Sequence, residues 1–339
     1  MLKNSNVFKQ KIDWYQAFLN SAIYIFMFLI LATIVIMDTN FLSLGNLSII
    51  LSQASTRVIF ALGVGGIIVL AGTDLAVGSQ VGIAAVIAST MLQAVDHGRR
   101  VFPDLPVLPL IVPIAIVMVI CATFSIIQAT IVTKFKVAPF IASLSMSLVI
   151  FGINSLYFAN IAGSAPIGGF DPRYTAFAQQ AVMLGEFRLN ALVVHAVLVS
   201  VIIWFIWNKT VLGRNMYAIG DNREAARVSG VNIVRNTMLI YIIAGLAYAY
   251  GGVLEGARTG SATNTLGSSY ELDAIAACVV GGASLRGGVG KVSGIVVGVL
   301  LLQIINFGLV FVGVSPNLQY IVRGAIIIFA VAIDMQKHA

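Results

Sequence analysis

Acidic, histidine and cysteine residues are the side chains of this chain that could relay protons, bind a metal or catalyse a reaction. Ion-coupled carriers place carboxylates or histidines at the centre of a membrane span. Here the acids that border apolar stretches all lie at or near the ends of those stretches: Asp38, Asp74, Glu255, Glu271, Asp273 and Asp334. The histidines lack metal-ligand spacing, and the cysteines stand within apolar runs: His97, His195, His338, Cys121 and Cys278. The sequence therefore predicts no metal site, no catalytic residues and no internal ion relay.

A nucleotide-binding loop would be the other internal source of energy. Such a loop needs G-x-x-x-x-G-K-[ST], because its glycines and lysine surround the phosphates. The nearest stretch is Gly290-Lys291, which has Leu285 where the first glycine is needed and Val292 where Ser or Thr is needed. We therefore expect this chain to bind no cofactor of its own, and any ATP and Mg²⁺ to belong to a partner.

Six polar side chains interrupt apolar surroundings and are candidates for a wet path through the protein. Amides, hydroxyls and charged groups along a cavity suit a hydroxyl-rich solute. The alternative is that they join helices through hydrogen bonds within the membrane. The candidates for the translocation path are Arg57, Asn154, Asn264, Thr265, Gln303 and Asn306.

The stretch 213–230, GRNMYAIGDNREAARVSG, is a charged island of small residues in an apolar chain. Asp221 can cap a short helix with Glu224 as its capping-box partner, and Gly230 is placed to end that helix. Small residues such as Ala225 and Ala226 allow the backbone of another protein to approach closely. Because no internal energy source is visible, we interpret the island as a handle moved by a separate ATPase. The alternative is a solvated loop that only orients the membrane spans.

The elements that position these residues are membrane helices. The chain has 339 residues, of which 59% are hydrophobic and only 10% charged, whereas soluble domains have about 25% charged residues. A span needs about 20 apolar residues. That length predicts an all-α polytopic membrane protein with about ten spans, some broken or re-entrant, at 17–37, 47–72, 75–95, 107–132, 137–160, 190–208, 237–256, 270–283, 291–313 and 317–335.

Two of the ten segments are expected to depart from a simple helix. Polar residues and glycines interrupt 47–72, which indicates a broken helix lining a wet cavity. The segment 270–283 is short and follows the polar stretch 259–269, which indicates a half-helix. Two glycine-rich stretches, 72–82 and 281–294, share G-x-x-L-x-x-G and lie at span junctions, where tight turns need glycine.

The distribution of basic residues predicts that both termini are cytoplasmic. With that orientation, 13 of the 20 Lys and Arg residues lie inside, five outside and two within spans. The net charge of +7 is scattered between spans and forms no stripe, so we expect no nucleic-acid partner. The longest outside loop, 161–189, is too short to form its own core and is expected to be an ordered cap.

Several segments resemble one family of bacterial membrane proteins. Glu224-Ala225-Ala226, three residues and then Gly230 resemble the E-A-A-x-x-x-G signature of ABC importer permeases, without its usual Leu-Pro end. The likeness continues through most of the chain, and its form is that of the ribose and galactose permeases. The segments that carry it are 72–82, 139–158, 218–232, 260–290 and 319–334.

The resemblance implies one transmembrane permease domain over residues 1–339, in the bacterial inner membrane, with a cytoplasmic coupling loop at 209–236. It also implies partners: a second copy of the chain, an ATP-binding-cassette subunit and a periplasmic sugar-binding protein. The implied cargo is a monosaccharide, with galactose or a methyl galactoside favoured. The coupling residues that it implies are Gly220, Asp221, Glu224, Ala225, Ala226, Ser229 and Gly230. The alternative function is an ion-coupled secondary sugar carrier.

Overall fold

The protein is described by a computed structural model that covers residues 14–185 and 187–337. The predicted cytoplasmic residues Lys3, Lys9 and Lys11, together with His338, lie outside the described residues. The described part has a short 3-10 helix, Thr39–Leu42, and a two-stranded antiparallel hairpin of β1 Ala181–Leu184 and β2 Phe187–Asn190. Its α-helices, α1 to α13, are Trp14–Met37, Leu44–Val69, Val77–Met91, Ile111–Thr133, Pro139–Asn160, Pro172–Gln179, Ala191–Lys209, Val211–Asp221, Arg223–Val228, Ile233–Thr259, Tyr270–Val280, Val292–Phe311 and Pro316–Lys337.

Each of the ten predicted spans contains a helix, which confirms a helical protein with many membrane spans. Within the described residues, seven helices are long and apolar enough to cross a membrane: α2, α4, α5, α7, α10, α12 and α13. Helix α3 has 15 residues and α11 has 11, both short of the roughly 20 that a crossing needs. Ten complete crossings therefore stay a prediction, as does the cytoplasmic position of the termini.

The prediction that 47–72 is a broken helix is wrong, because α2 runs without interruption for 26 residues. Its glycines make room for neighbouring helices rather than breaking the hydrogen-bond ladder. A Cβ on Gly63 would come 2.7 Å from Tyr248 of α10, and one on Gly65 would overlap Ile295 of α12. Glycine in a membrane helix often serves this close approach between helices.

The breaks in the chain lie instead beside the two short helices. Residues 70–76 are non-helical before α3, and residues 260–269 are non-helical before α11. The second break confirms the predicted half-helix after a polar stretch. The two regions pack against each other, because Gly78 and Gly82 of α3 leave room for the carbonyl oxygens of Gly267 and Leu266.

Helix α10 lies at the centre of the molecule and packs against α2, α3 and α4. Its small residues allow this close packing: a Cβ on Gly252 would come 2.6 Å from the carbonyl oxygen of Val81, and one on Gly245 would overlap Ser125. Tyr248 of the same helix is completely buried between α2 and the 70–76 segment. The core therefore holds α2 and α3 in fixed positions relative to α10.

The connecting segments gather at two ends of the helix bundle. One end, here called the hairpin end, contains 161–171, α6 and the hairpin. A backbone bridge joins Ile167 to Ala262, just after α10, and Tyr174 of α6 donates a 2.6 Å hydrogen bond to the carbonyl of Val253 in α10. Arg173 hydrogen-bonds Asp171 there and keeps the pKa of that carboxyl below its usual value. The other end, the knob end, contains α8, α9 and the segments 133–139 and 281–291. It is the end predicted to be cytoplasmic.

Candidate functional site

The charged island predicted to be a handle folds as two helices, α8 and α9, rather than one. Thr210 caps α8 by accepting a hydrogen bond from the backbone N–H of Gly213. The prediction that Asp221 caps this helix is wrong, because Asp221 is the last residue of α8. Asn222 caps α9 instead: its backbone is extended, and its side chain accepts a 2.9 Å hydrogen bond from Ala225 N–H. Gly230 follows α9 with a φ of +81°, which confirms its predicted helix-ending role.

Helix α9 presents most of its surface outward from the knob end. Glu224, Ala225 and Ser229 are exposed, and Val228 is 88% exposed. Glu224 forms an exposed ion pair with Arg227 at 3.1 Å in place of the predicted capping box. Ala226 is the exception, since it is buried in a small cluster with Ile219 and Ile233. The helix is thus anchored on one face and open on the other.

The C-terminal end of α8 packs tightly against the rest of the bundle at Gly220. A Cβ on this residue would overlap the carbonyl oxygen of Val69 and come 2.6 Å from the backbone nitrogen of Gly288. Gly288 in turn donates a 2.9 Å hydrogen bond to Val69. Tyr217 adds a 2.9 Å hydrogen bond to the carbonyl of Gly290. The end of α2 and the glycine-rich stretch 281–294 therefore meet at α8, and movement of α8 would press directly on α2.

A groove runs between α9 and the turn that joins α4 to α5. It has a volume of about 710 Å³, and Lys136, Arg223 and Arg227 lie on its rim together with Glu224. Three positive charges and one negative charge favour a partner surface that is acidic. This groove was not found from the sequence, because Lys136 and Arg223 are about ninety residues apart.

The six candidate path residues lie in two separate groups. Arg57, Gln303 and Asn306 line a pocket between α2, α11 and α12. Its volume is about 20 Å³, which holds about one water molecule. Gln303 donates a 2.7 Å hydrogen bond to Gln53, and Arg57 forms a 2.8 Å ion pair with Asp273. These contacts match the alternative in which polar side chains join the helices.

An ion cluster beside Arg57 joins α2, α10 and α11. The completely buried Glu255 accepts hydrogen bonds from Arg258 at 2.7 and 2.9 Å, from Thr56 at 2.7 Å and from Tyr270 at 2.6 Å. The Arg57 guanidinium lies 3.8 Å from the centre of the Tyr270 ring. Sequence reasoning counted Glu255 only as an acid near the end of a span. Its position three residues before Arg258, on the same helix face, is the signal that could have revealed the pair.

The second group of path residues lies at the break before α11. Asn154 donates a 3.3 Å hydrogen bond to the carbonyl of Asn264, and Asn264 donates a 3.2 Å hydrogen bond to Ser155. Thr265 shares a 3.1 Å hydrogen bond with Thr263 and is exposed. Asn264 and Thr265 line a pocket of about 160 Å³ between α3, α5 and the segment 264–271.

Comparison with known proteins identifies the class to which this arrangement belongs. Residues 46–331 match the family described as "Branched-chain amino acid transport system / permease component", and the chain belongs to that family. It is a membrane-spanning permease component, and no comparison supports the ion-coupled carrier.

Individual relatives match nearly the whole chain. The chain is 51% identical to the galactose/methyl galactoside import permease protein MglC of Escherichia coli strain K12, over 94% of both chains. It is 49% identical to the protein of the same name from Haemophilus influenzae, over 94% of this chain and 95% of that one. It is 32% identical to the ribose import permease protein RbsC of Escherichia coli K12, over 91% of both. These matches confirm the predicted family resemblance. No solved structure matches the chain.

Proposed function

We propose that this chain is the permease subunit of an ATP-driven, binding-protein-dependent importer of galactose or a methyl galactoside in the bacterial inner membrane. The observation that carries this proposal is the 51% identity to a galactose/methyl galactoside import permease across 94% of the chain. The identity to a ribose import permease is 32%, which favours the galactoside over the pentose.

Energy enters through the knob end. A separate ATPase subunit, which holds ATP and Mg²⁺, docks on the exposed face of α9 and in the basic groove beside it. Its closure tilts α9 and α8 together, and the contact of Gly220 with Val69 passes that movement to α2. Two copies of the chain form the functional permease, and a periplasmic sugar-binding protein delivers cargo at the hairpin end.

The coupling role has a direct test in the bulk of one exposed residue. Ala225→Trp places a large ring on the docking face of α9, whereas Val119→Trp places one on an exposed position within α4, away from α9. We expect Ala225→Trp to abolish sugar-stimulated ATP hydrolysis in the importer complex that co-purifies with this chain. Val119→Trp should retain it. Equal hydrolysis by both variants would contradict coupling through α9.

The cargo is tested with the same complex reconstituted in proteoliposomes. We expect methyl galactoside, delivered by the binding protein, to stimulate ATP hydrolysis and to accumulate, and ribose to do neither at the same concentration. Uptake should persist when a proton or sodium uncoupler is added at constant ATP. Stimulation by ribose alone would reassign the cargo, and uptake that stops with the ion gradient would favour the ion-coupled alternative.

A further inference from the structure

The pocket between α3, α5 and the segment 264–271 concentrates groups that bind carbohydrate. Hydroxyls come from Ser79 of α3, from Ser147 of α5 and from the residues just before α11. Glu271 adds a carboxylate, and the 43% exposed ring of Phe151 lies at the same pocket. Sugars are bound in proteins by hydroxyl, amide and carboxylate groups that meet their hydroxyls and by aromatic faces that meet their C–H faces.

The depth of the pocket suits a transported solute. Ser147 and Phe151 lie near the middle of α5, which runs from Pro139 to Asn160 and is apolar enough to cross the membrane. The pocket is bordered by the start of the half-helix α11. Substrate sites of transporters are commonly found at this depth, where a discontinuous helix begins.

The segment that lines the pocket is held rigidly in place. Gly267, with a φ of +91°, packs against Gly78 so closely that a Cβ on either residue would overlap the carbonyl oxygen of the other. The Glu271 carboxylate also lies directly over Gly78. Ser269 has a φ of +65°, a conformation that is uncommon for a residue other than glycine, and its hydroxyl does not cap α11. A fixed backbone holds the polar groups of the pocket in a defined arrangement.

The polar groups here differ in one respect from those around Arg57. On the Arg57 side, the carboxylates of Glu255 and Asp273 are both occupied by arginine. Among the ion pairs of the described residues, Glu271 has no cation partner. Its carboxylate accepts backbone hydrogen bonds from Ser269 and Glu271, and its remaining lone pairs can accept hydrogen bonds from neighbouring sugar hydroxyls.

From this geometry we infer that the pocket is a monosaccharide subsite of the translocation path, formed by Ser79, Ser147, Thr265 and Glu271 with Phe151 beside them. The Arg57 side of α11 is then a structural ion cluster outside that path. The inference rests on the proposed function, since it assigns the route of the same cargo. It also divides the six path candidates. Asn264 and Thr265 belong to the subsite, and Asn154 is hydrogen-bonded to Asn264. The other three, Arg57, Gln303 and Asn306, do not belong to it.

Cysteine labelling tests the subsite in the co-purified importer complex. The chain has two cysteines, and both are buried, so an introduced cysteine dominates the reaction with a polar thiol reagent. We expect Ser147→Cys and Thr265→Cys to be labelled. Methyl galactoside at about ten times its half-protecting concentration should slow that labelling about tenfold, because only the empty fraction reacts. Asn306→Cys, half-buried like Ser147, is the matched control and should show no protection.

The outcomes separate this inference from the proposed function. If the wild-type complex imports methyl galactoside while the Ser147→Cys and Thr265→Cys variants label equally with and without the sugar, the subsite is wrong and the proposed function stands. Protection of Asn306→Cys alone would move the path to the Arg57 side and overturn the inference. A wild-type complex that does not respond to methyl galactoside would overturn the proposed function itself.

Discussion

Five charged side chains meet where α10 ends and α11 begins: Arg57, Glu255, Arg258, Asp273 and Arg323. Arg57 and Arg323 both contact Asp273, at 2.8 and 3.4 Å, while Arg258 contacts Glu255 at 2.7 Å. Isolated charges this deep in a membrane protein are costly, but each carboxylate here has an arginine partner. The cluster fixes both ends of the 260–269 segment, which lies between Glu255 and Tyr270. Its residues therefore position the segment that lines the proposed monosaccharide subsite.

Removing one member of the buried pair should destabilise the protein strongly. Glu255→Ala leaves Arg258 and Tyr270 without their shared acceptor, and loss of one partner of a buried ion pair costs about 3–5 kcal/mol. We expect a clear fall in the thermal unfolding midpoint in detergent. Glu224→Ala breaks the exposed pair with Arg227 and should leave the midpoint nearly unchanged, because exposed pairs contribute little. Similar midpoints for the two variants would contradict a structural role for the Glu255 cluster.

At the scale of elements, α8 connects the exposed α9 to the membrane helices. Its amphipathic sequence buries Met216 and Ile219 against the bundle and leaves Arg214 and Ala218 exposed. Gly220 is the point of closest approach, since it contacts both Val69 at the end of α2 and Gly288 of the segment 281–291. An element that is rigid and closely packed transmits displacement rather than absorbing it. This is why we assign Gly220 to transmission and the exposed residues of α9 to docking.

A methyl group at Gly220 should disturb this junction. Gly220→Ala would place its Cβ against the backbone of Val69, and such overpacking costs about 1–3 kcal/mol. The expected result is a lower unfolding midpoint and weaker coupling between sugar and ATP hydrolysis. Gly152→Ala is the matched control, because nothing lies within 4 Å of a Cβ on that helical glycine. It should be neutral or slightly stabilising, since alanine favours helix. Wild-type behaviour of Gly220→Ala would exclude the junction as a transmission point.

Sequence patterns predicted the elements better than the contacts between them. Apolar length located a helix in each of the ten predicted segments, because apolar length is a local property of about 20 residues. Gly63 and Gly65 indicated a broken helix from the sequence, but their neighbours Tyr248 and Ile295 lie more than 180 residues away in the chain. Only the folded structure shows that these glycines permit packing. The N-cap was misplaced by one residue, since Asp221 and Asn222 are both good caps and the end of α8 decides between them.

The same limit applies to the candidate site. Arg57 and Asn264 both interrupt apolar sequence, so composition alone places them in one path. The structure separates them because Tyr270, Asp273 and Ala274 face the Arg57 pocket while Glu271 faces the other one. Successive residues of a helix point in directions about 100° apart. The sequence does not indicate which face of α11 turns toward which pocket.

At the scale of the whole molecule, the connecting segments are divided between two ends that differ in charge and in structure. The knob end carries the basic groove with Lys136, Arg223 and Arg227. The hairpin end carries ordered structure packed onto α10, including the buried Tyr174. An asymmetric molecule of this kind can receive cargo at one end and force at the other. Its proposed function therefore requires one particular orientation in the membrane.

The orientation of the protein in the membrane can be tested at two exposed valines. Val228 of α9 is 88% exposed at the knob end, and Val182 of the hairpin is 61% exposed at the other end. In a bacterial inner-membrane preparation of right-side-out vesicles, a membrane-impermeant thiol reagent should label Val182→Cys at once. It should label Val228→Cys only after the vesicles are permeabilised, because the excess of basic residues holds the knob end inside. The buried native cysteines keep the wild-type background low. The reverse labelling pattern would place α9 where no intracellular ATPase can reach it, and coupling through the knob end would then be physically impossible.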